Sequence, residues 1–94
     1  MVEVLNATDV DGLARAVTRR LRREGIDVVY YGTARDSTPD STRILIRRGD
    51  STYARSVRRV LGTGRIESSP APNLLLDVTV VLGRDATRLL HLDP

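Results

Sequence analysis

The positions of apolar residues along the chain predict its strands and helices. A short apolar run over residues 2–6 is typical of a β-strand, and a helical spacing of apolar residues begins at Val10. The residues that share this helical face are Val10, Leu13, Ala14, Val17 and Leu21. Asp9 precedes them as the predicted N-cap, and Gly25 comes after them where helices commonly end with a positive φ angle.

A second series of strands and a helix comes next. Residues 26–34 and 43–48 are rich in β-branched and aliphatic residues and predict the second and third strands, with a polar loop over residues 34–42 between them. Asp50 or Ser51 is predicted to cap a second helix. The apolar side and the end of that helix consist of Tyr53, Ala54, Val57, Val60 and Leu61, then Gly62 and Gly64.

The rest of the pattern completes a sheet. Residues 65–69 predict a short strand, and residues 77–83 predict a last strand whose apolar residues on both sides indicate a central position. The order β-α-β and then β-α-β-β predicts an α+β fold, a ferredoxin-like split β-α-β repeat. We expect a four- to five-stranded mixed or antiparallel sheet with two helices on one face. The domain spans residues 2–85, and residues 86–94 form a C-terminal tail.

Length and composition limit the classes of function. A chain of 94 residues makes one domain, and the lack of cysteine excludes disulfides and thiolate metal sites. His91 is the single histidine, so a site with several histidine ligands is excluded too, and we expect no cofactor. No segment approaches the roughly 20 apolar residues of a membrane helix. No signal-peptide pattern precedes the first strand, so we expect any exported parent protein to contain this chain as a fragment.

The charge of the chain is positive and comes entirely from arginine. The net charge is +3, and all fifteen basic residues are arginine. Five of these lie between Val10 and Glu24, together with two carboxylates, so the segment alone carries the charge excess. Such a charge suits an anionic glycopolymer, an anionic lipid surface or nucleic acid, and does not distinguish among them.

Two motifs resemble the LytR C-terminal domain family. The opening VEVLNATDVDGLARAVTRRLRREGIDVV is similar to the first strand, turn and helix of that family. The matching residues are Val4, Leu5, Asn6, Gly12, Leu13, Ala14 and Gly25. DVTVVLGRD, residues 77–85, is similar to the closing motif of the same family. Together the motifs extend the resemblance from residue 2 to about residue 85.

The resemblance implies a non-catalytic accessory module. Members of the family often lie behind the LytR/CpsA/Psr catalytic domain, which attaches anionic glycopolymers to bacterial peptidoglycan, or behind a lone membrane anchor. We therefore expect an extracytoplasmic cell-envelope domain. It would bind peptidoglycan or an anionic wall glycopolymer, or position a tethered catalytic domain near that polymer. It would be a fragment of a membrane-anchored or exported parent chain and would meet the membrane only through an anchor elsewhere in that chain. A protein-interaction or dimerisation module that uses a sheet edge is the alternative.

The corner between the first strand and the first helix has two interpretations. Asn6, Thr8 and Asp9 stand where a helix N-terminus can hold an anion. The family favours Asn-Gly-Thr-Gly here, whereas Ala7 and Asp9 replace both glycines and restrict the backbone. Asp9 and Asp11 also place carboxylates at the positive end of the helix dipole. A tight turn in which Asn6 bonds the backbone is therefore favoured.

The predicted contacts with a polymer or partner are Arg19, Arg23, Arg43, Arg47 and Arg84. Guanidinium groups pair well with phosphate and carboxylate. Arg19 and Arg23 equally suit the solvated side of an amphipathic helix, and Arg43 and Arg47 equally suit an edge strand blunted by charge. At the closing motif, Gly83 permits a turn and Asp85 caps the segment after it, while Arg84 belongs either to that turn or to a partner surface.

Nucleic-acid binding and catalysis are disfavoured. Proteins that bind single strands usually stack bases on aromatic side chains, and this chain has three tyrosines and no Phe or Trp. Tyr30 and Tyr31 are neighbours on a strand and point to opposite faces of the sheet. His91 lies near Asp93 in an apolar tail, with no nucleophile placed beside it. We therefore expect no enzymatic activity.

Overall fold

The computed structural model describes residues 1–34 and 38–92, and its elements have the predicted order. The strands are β1 (Val2–Asn6), β2 (Val28–Thr33), β3 (Arg43–Ile46), β4 (Arg65–Ser68) and β5 (Val78–Leu82). The helices are α1 (Leu13–Arg23), α2 (Thr52–Leu61) and the short α3 (Leu89–Leu92). The predicted polar loop includes residues 35–37, which lie outside the described residues. No described helix is long and apolar enough to cross a membrane.

The five strands form one mixed sheet in the order β2-β1-β5-β3-β4. β1 is parallel to β2 and β5, β3 is parallel to β4, and β3 is antiparallel to β5. The predicted α+β class, with a five-stranded mixed sheet and two main helices, is thereby confirmed. The strand order differs from a split unit in one respect, because the two strands of each β-α-β unit lie side by side. β5 lies between the two units and is hydrogen-bonded to β1 along one edge and to β3 along the other.

The apolar pattern of β5 correctly predicts its central position, and all five of its residues are buried. β3 is also an inner strand, so the interpretation of Arg43 and Arg47 as charges on an edge strand is wrong. The edges of the sheet are β2 and β4. Arg65 and Glu67 lie on β4, as is typical of a natural edge, whereas β2 contains no charged residue.

Both main helices pack on the same face of the sheet, and the core lies between the two layers. The sheet contributes the fully buried side chains of Val2, Val4, Ile44, Val78 and Val80. The helices contribute those of Leu13, Val17, Leu21, Val57 and Leu61. The core continues past residue 85, since Ala86 and Leu89 are buried in it and α3 contacts α1.

The start of α1 differs from its predicted position, whereas its end agrees with the prediction. Asp9 is not the N-cap, because the helix begins only at Leu13, after Gly12 with a φ angle of 82°. Hydrogen bonds in the corner hold the preceding residues in a turn and delay the helix. The predicted end is confirmed: Gly25 has a φ angle of 83°, and the N–H of Ile26 donates to the carbonyl of Leu21 at 3.0 Å.

Candidate functional site

The corner after β1 is closed by its own hydrogen bonds. The Asn6 amide donates to the Val10 carbonyl at 2.8 Å, and Asn6 Oδ1 accepts from the N–H and the hydroxyl of Thr8 at 2.9 and 2.6 Å. Thr8 Oγ1 accepts from the Val10 N–H at 3.1 Å. Asn6 is buried and Asp9 is exposed. These bonds support the tight-turn interpretation, and a ligand contact at Asn6, Thr8 or Asp9 stays a prediction.

The sheet face away from α1 and α2, which we call the open face, is covered partly by Arg47. Its Nε donates to Thr79 Oγ1 at 2.9 Å, and one terminal nitrogen donates to the carbonyl and the hydroxyl oxygen of Ser69, both at 3.0 Å. The Thr79 hydroxyl in turn donates to Glu3 Oε2 at 2.7 Å. Thr79 is fully buried although it lies on the open face. Arg47 therefore has a structural task, which is to satisfy polar groups on β5 and beside β4.

Arg43 and Arg84 belong to different elements, since Arg43 begins β3 and Arg84 follows β5. Arg43 is on the open face, opposite Arg65 in the register of β3 and β4. Arg84 comes directly after β5 and donates to Asp40 Oδ1 at 2.9 Å, with side chains that are 63% and 85% exposed. An ion pair this exposed contributes little to stability. The five arginines predicted from the sequence are therefore distributed over several surfaces and do not form one site.

The two main helices carry a larger set of arginines on one side of the molecule. Five arginines lie on α1 and three on α2, so these helices hold eight of the fifteen, and neither contains Asp or Glu. Seven of the eight are exposed and form what we call the arginine face: Arg15, Arg19, Arg22, Arg23, Arg55, Arg58 and Arg59. The rest of the chain holds twelve carboxylates and seven arginines. The side chains of the two helices therefore carry a formal charge of +8, against −5 for those of the rest of the chain.

The α2 part of the arginine face was missed as a site by sequence reasoning. Arg55, Arg58 and Arg59 are evident as the polar side of α2, but they are 40 residues from α1 partners such as Arg15 and Arg19. The signal that identifies them is the absence of acidic residues from both helices. Most surface helices mix both signs of charge, and two neighbouring helices with arginine alone are unusual.

The closing motif at the end of β5 is a structural junction. The Asp85 carboxylate accepts hydrogen bonds from the N–H and hydroxyl of Thr42 and from the hydroxyl of Thr63. The Thr42 hydroxyl also accepts from the buried N–H of Gly83 at 3.0 Å. Asp85 therefore ties the start of β3 and the loop before β4 to the end of β5, and the interpretation of Asp85 as a local cap misses this contact.

Gly83 at this junction does not use the conformational freedom of glycine. Its φ angle is −106° and its ψ angle −176°, an extended conformation open to any residue. A glycine is needed because the backbone of Ser41 passes directly above it, where a Cβ would collide with backbone atoms. Gly83 is therefore needed for the close approach of the Ser41 backbone, and its interpretation as a residue that permits a bend is wrong.

Metal binding has no support in the part of the chain that the structure describes, where no group of three His, Asp or Glu residues could hold an ion. The side chain of His91 and the whole of Asp93 lie outside the described residues. The expectation of no cofactor stays a prediction.

The fold is similar to that of a known domain. A solution structure described as that of the C-terminal domain of RV0431 resembles this one, with a TM-score of 0.52 and 27% identity. The aligned region covers 87% of this chain and 70% of that one. Among curated proteins, no sequence matches this chain.

A family model described as LytR cell envelope-related transcriptional attenuator matches residues 1–85. The match covers β1 to the turn after β5, which is nearly the whole fold. This family consists of accessory, non-catalytic domains found in cell-envelope proteins. The resemblance of the opening and closing motifs is confirmed, and the chain belongs to the family of LytR cell envelope-related transcriptional attenuator domains.

Proposed function

We propose that this domain is a non-catalytic extracytoplasmic module that holds its parent protein at an anionic wall polymer through the arginine face. The observation that carries the proposal is the placement of eight arginines, without a single carboxylate, on two helices that share one side of the sheet. Peptidoglycan and anionic glycopolymers offer carboxylates and phosphates, and guanidinium groups pair with both of these anions.

Binding of this kind depends on several weak contacts that act together. One exposed guanidinium paired with one anion contributes less than about 1 kcal/mol, because water and salt screen the pair. A polymer presents many anions, so contacts made by α1 and α2 at the same time raise the overall affinity. Salt should therefore weaken the binding strongly. Arg43, Arg47 and Arg84 remain predicted contacts on other surfaces.

Substitution of the arginine face is expected to release the domain from purified cell-wall sacculi. We expect the triple variant Arg15→Gln, Arg19→Gln and Arg23→Gln to lower the fraction that co-sediments about tenfold at low salt, because three anion contacts are lost. Physiological salt, and sacculi stripped of anionic polymer, should lower retention of the unmodified domain in the same direction.

A matched triple variant controls for total charge. Arg48→Gln, Arg65→Gln and Arg88→Gln remove the same charge from exposed residues outside the arginine face and should leave most of the retention intact. Equal loss in both triple variants would contradict a contact confined to the arginine face. Retention that does not respond to salt would contradict binding led by arginine.

Dimerisation through β2 is a second candidate function, favoured by the composition of that edge. Val29, Tyr30 and Tyr31 are 45%, 56% and 42% exposed, on a strand that pairs with β1 alone among the described strands. An edge without charge is a template for a further strand. Two copies could join their β2 strands in a symmetric contact, since each presents the same uncharged surface.

A single lysine on β2 tests this candidate. If the domain dimerises through the edge, its sedimentation coefficient rises with concentration, and Tyr30→Lys abolishes the rise because two charges would then meet across the contact. Leu74→Lys is the matched control, since Leu74 is also an exposed apolar residue but lies outside the sheet. A domain that remains monomeric at every concentration would rule out dimerisation.

A further inference from the structure

A groove of about 710 Å³ opens between the end of α1, the beginning of α2 and the turn after β3. Its volume is that of a small-molecule site. Gly25 and Gly49 form part of its wall, so backbone approaches the space closely at two turns. Arg59 is the one residue of the arginine face that lines the groove. The rest of the lining includes carboxylates and apolar side chains.

One part of the groove is acidic. Its carboxylates are Glu24, Asp50 and Asp77. Asp77 is already engaged by Arg48, whose Nε lies 3.2 Å from Asp77 Oδ1. Asp50 accepts the N–H of Thr52 at 3.0 Å, and this hydrogen bond holds the pKa of Asp50 below its ordinary value. Glu24 and Asp50 are therefore the carboxylates that can receive a cationic group.

The other part of the groove suits an anionic or apolar group. Arg59 projects from α2 into the lining, and among the described residues no hydrogen-bond or ion-pair partner occupies its guanidinium. The Tyr53 hydroxyl accepts the N–H of Asp27 at 3.2 Å, which leaves its own proton for an acceptor. Ile26 and Val60 supply an apolar surface between the charged groups.

We propose that the groove binds a small zwitterion, either a free amino acid or a short peptide. The ligand ammonium lies against Glu24 and Asp50, and its carboxylate pairs with Arg59. A simple anion would meet two carboxylates here and a simple cation would meet arginine, while a neutral ligand would remove water from both without replacing it. The proposal does not rest on polymer binding by the arginine face.

Titration of the ¹⁵N-labelled domain by NMR tests the proposal with tri-alanine and with alanine as probes. We expect saturable shifts at the amides of Gly25, Gly49 and Thr52. N-acetyl-tri-alanine and tri-alanine amide, which each lack one charge, should bind at least about tenfold more weakly. Saturation by alanine identifies a free amino acid as the ligand type, and saturation by tri-alanine alone identifies a peptide.

Two variants connect the binding to named side chains. Arg59→Gln and Glu24→Gln should each raise the Kd of the probe about tenfold, because each removes one charged partner. Arg65→Gln is the control that removes the same charge elsewhere, since Arg65 is exposed on β4 and lies outside the groove. The proposal is overturned if no shift saturates, if the blocked probes bind equally well, or if Arg65→Gln weakens binding as much as Arg59→Gln. None of these outcomes decides whether the arginine face binds sacculi, which the two triple variants test separately.

Discussion

Replacement of Gly83 by alanine is expected to lower the free energy of unfolding by about 3 kcal/mol, because the new methyl group has no space. An ideal Cβ at this position lies 2.5 Å from the Ser41 carbonyl carbon, 2.6 Å from its oxygen and 2.9 Å from its nitrogen. These are backbone atoms, which cannot rotate away as the end of a side chain can. Urea unfolding of the isolated domain measures the effect.

Gly25 provides a control that separates collision from backbone strain. Its φ angle is 83° and an added Cβ would meet nothing within 4 Å, so Gly25→Ala should cost about 1 kcal/mol from the left-handed conformation alone. At Gly83 the backbone angles are open to any residue, but an added Cβ would collide with the Ser41 backbone. If Gly83→Ala costs no more than Gly25→Ala, the close approach of Ser41 is not a constraint on this fold.

Replacement of Asp85 by alanine is the second large effect, and we expect a loss of about 3 kcal/mol of unfolding free energy. The carboxylate accepts from the Thr42 N–H at 3.0 and 3.1 Å, from the Thr42 hydroxyl at 2.6 Å and from the Thr63 hydroxyl at 3.0 Å. Its removal leaves partly buried donors unsatisfied and detaches three segments from one another. Asp85→Asn keeps one accepting oxygen and should cost less.

Asp40 is the matched control for this prediction, because it is also an aspartate beside the closing motif. Its carboxylate pairs with Arg84 in a largely exposed contact, so Asp40→Ala should change the unfolding free energy by less than about 1 kcal/mol. Urea unfolding of the two variants gives the comparison directly. A similar small loss for both would mean that the Asp85 hydrogen bonds add nothing beyond a surface ion pair.

The candidate site shows how far local patterns reach. The sequence identifies Arg19 and Arg23 as the polar side of one helix, and it identifies Arg55 and Arg59 as the polar side of another. It does not say that both helices cover the same face of one sheet. That placement, which joins the two polar sides into one arginine face, depends on the strand order.

The groove depends on tertiary structure in the same way. Glu24 follows α1, Asp50 precedes α2 and Asp77 precedes β5, so each carboxylate has an ordinary local explanation. Packing of α1 beside α2 brings them around one space. The sequence therefore gave no indication that these three carboxylates line one groove.

The sequence by itself determined the class of the fold, the elements and their order, the central place of β5 and the glycine end of α1. These features result from interactions within a few residues: apolar spacing, turn chemistry and an uncharged strand. Only the tertiary structure decided the adjacency of strands in each unit, the delayed start of α1 and the task of Asp85. The physical reason is that the Thr42–Asp85 bonds join groups 43 residues apart, and no local pattern specifies which distant backbone will lie beside a side chain.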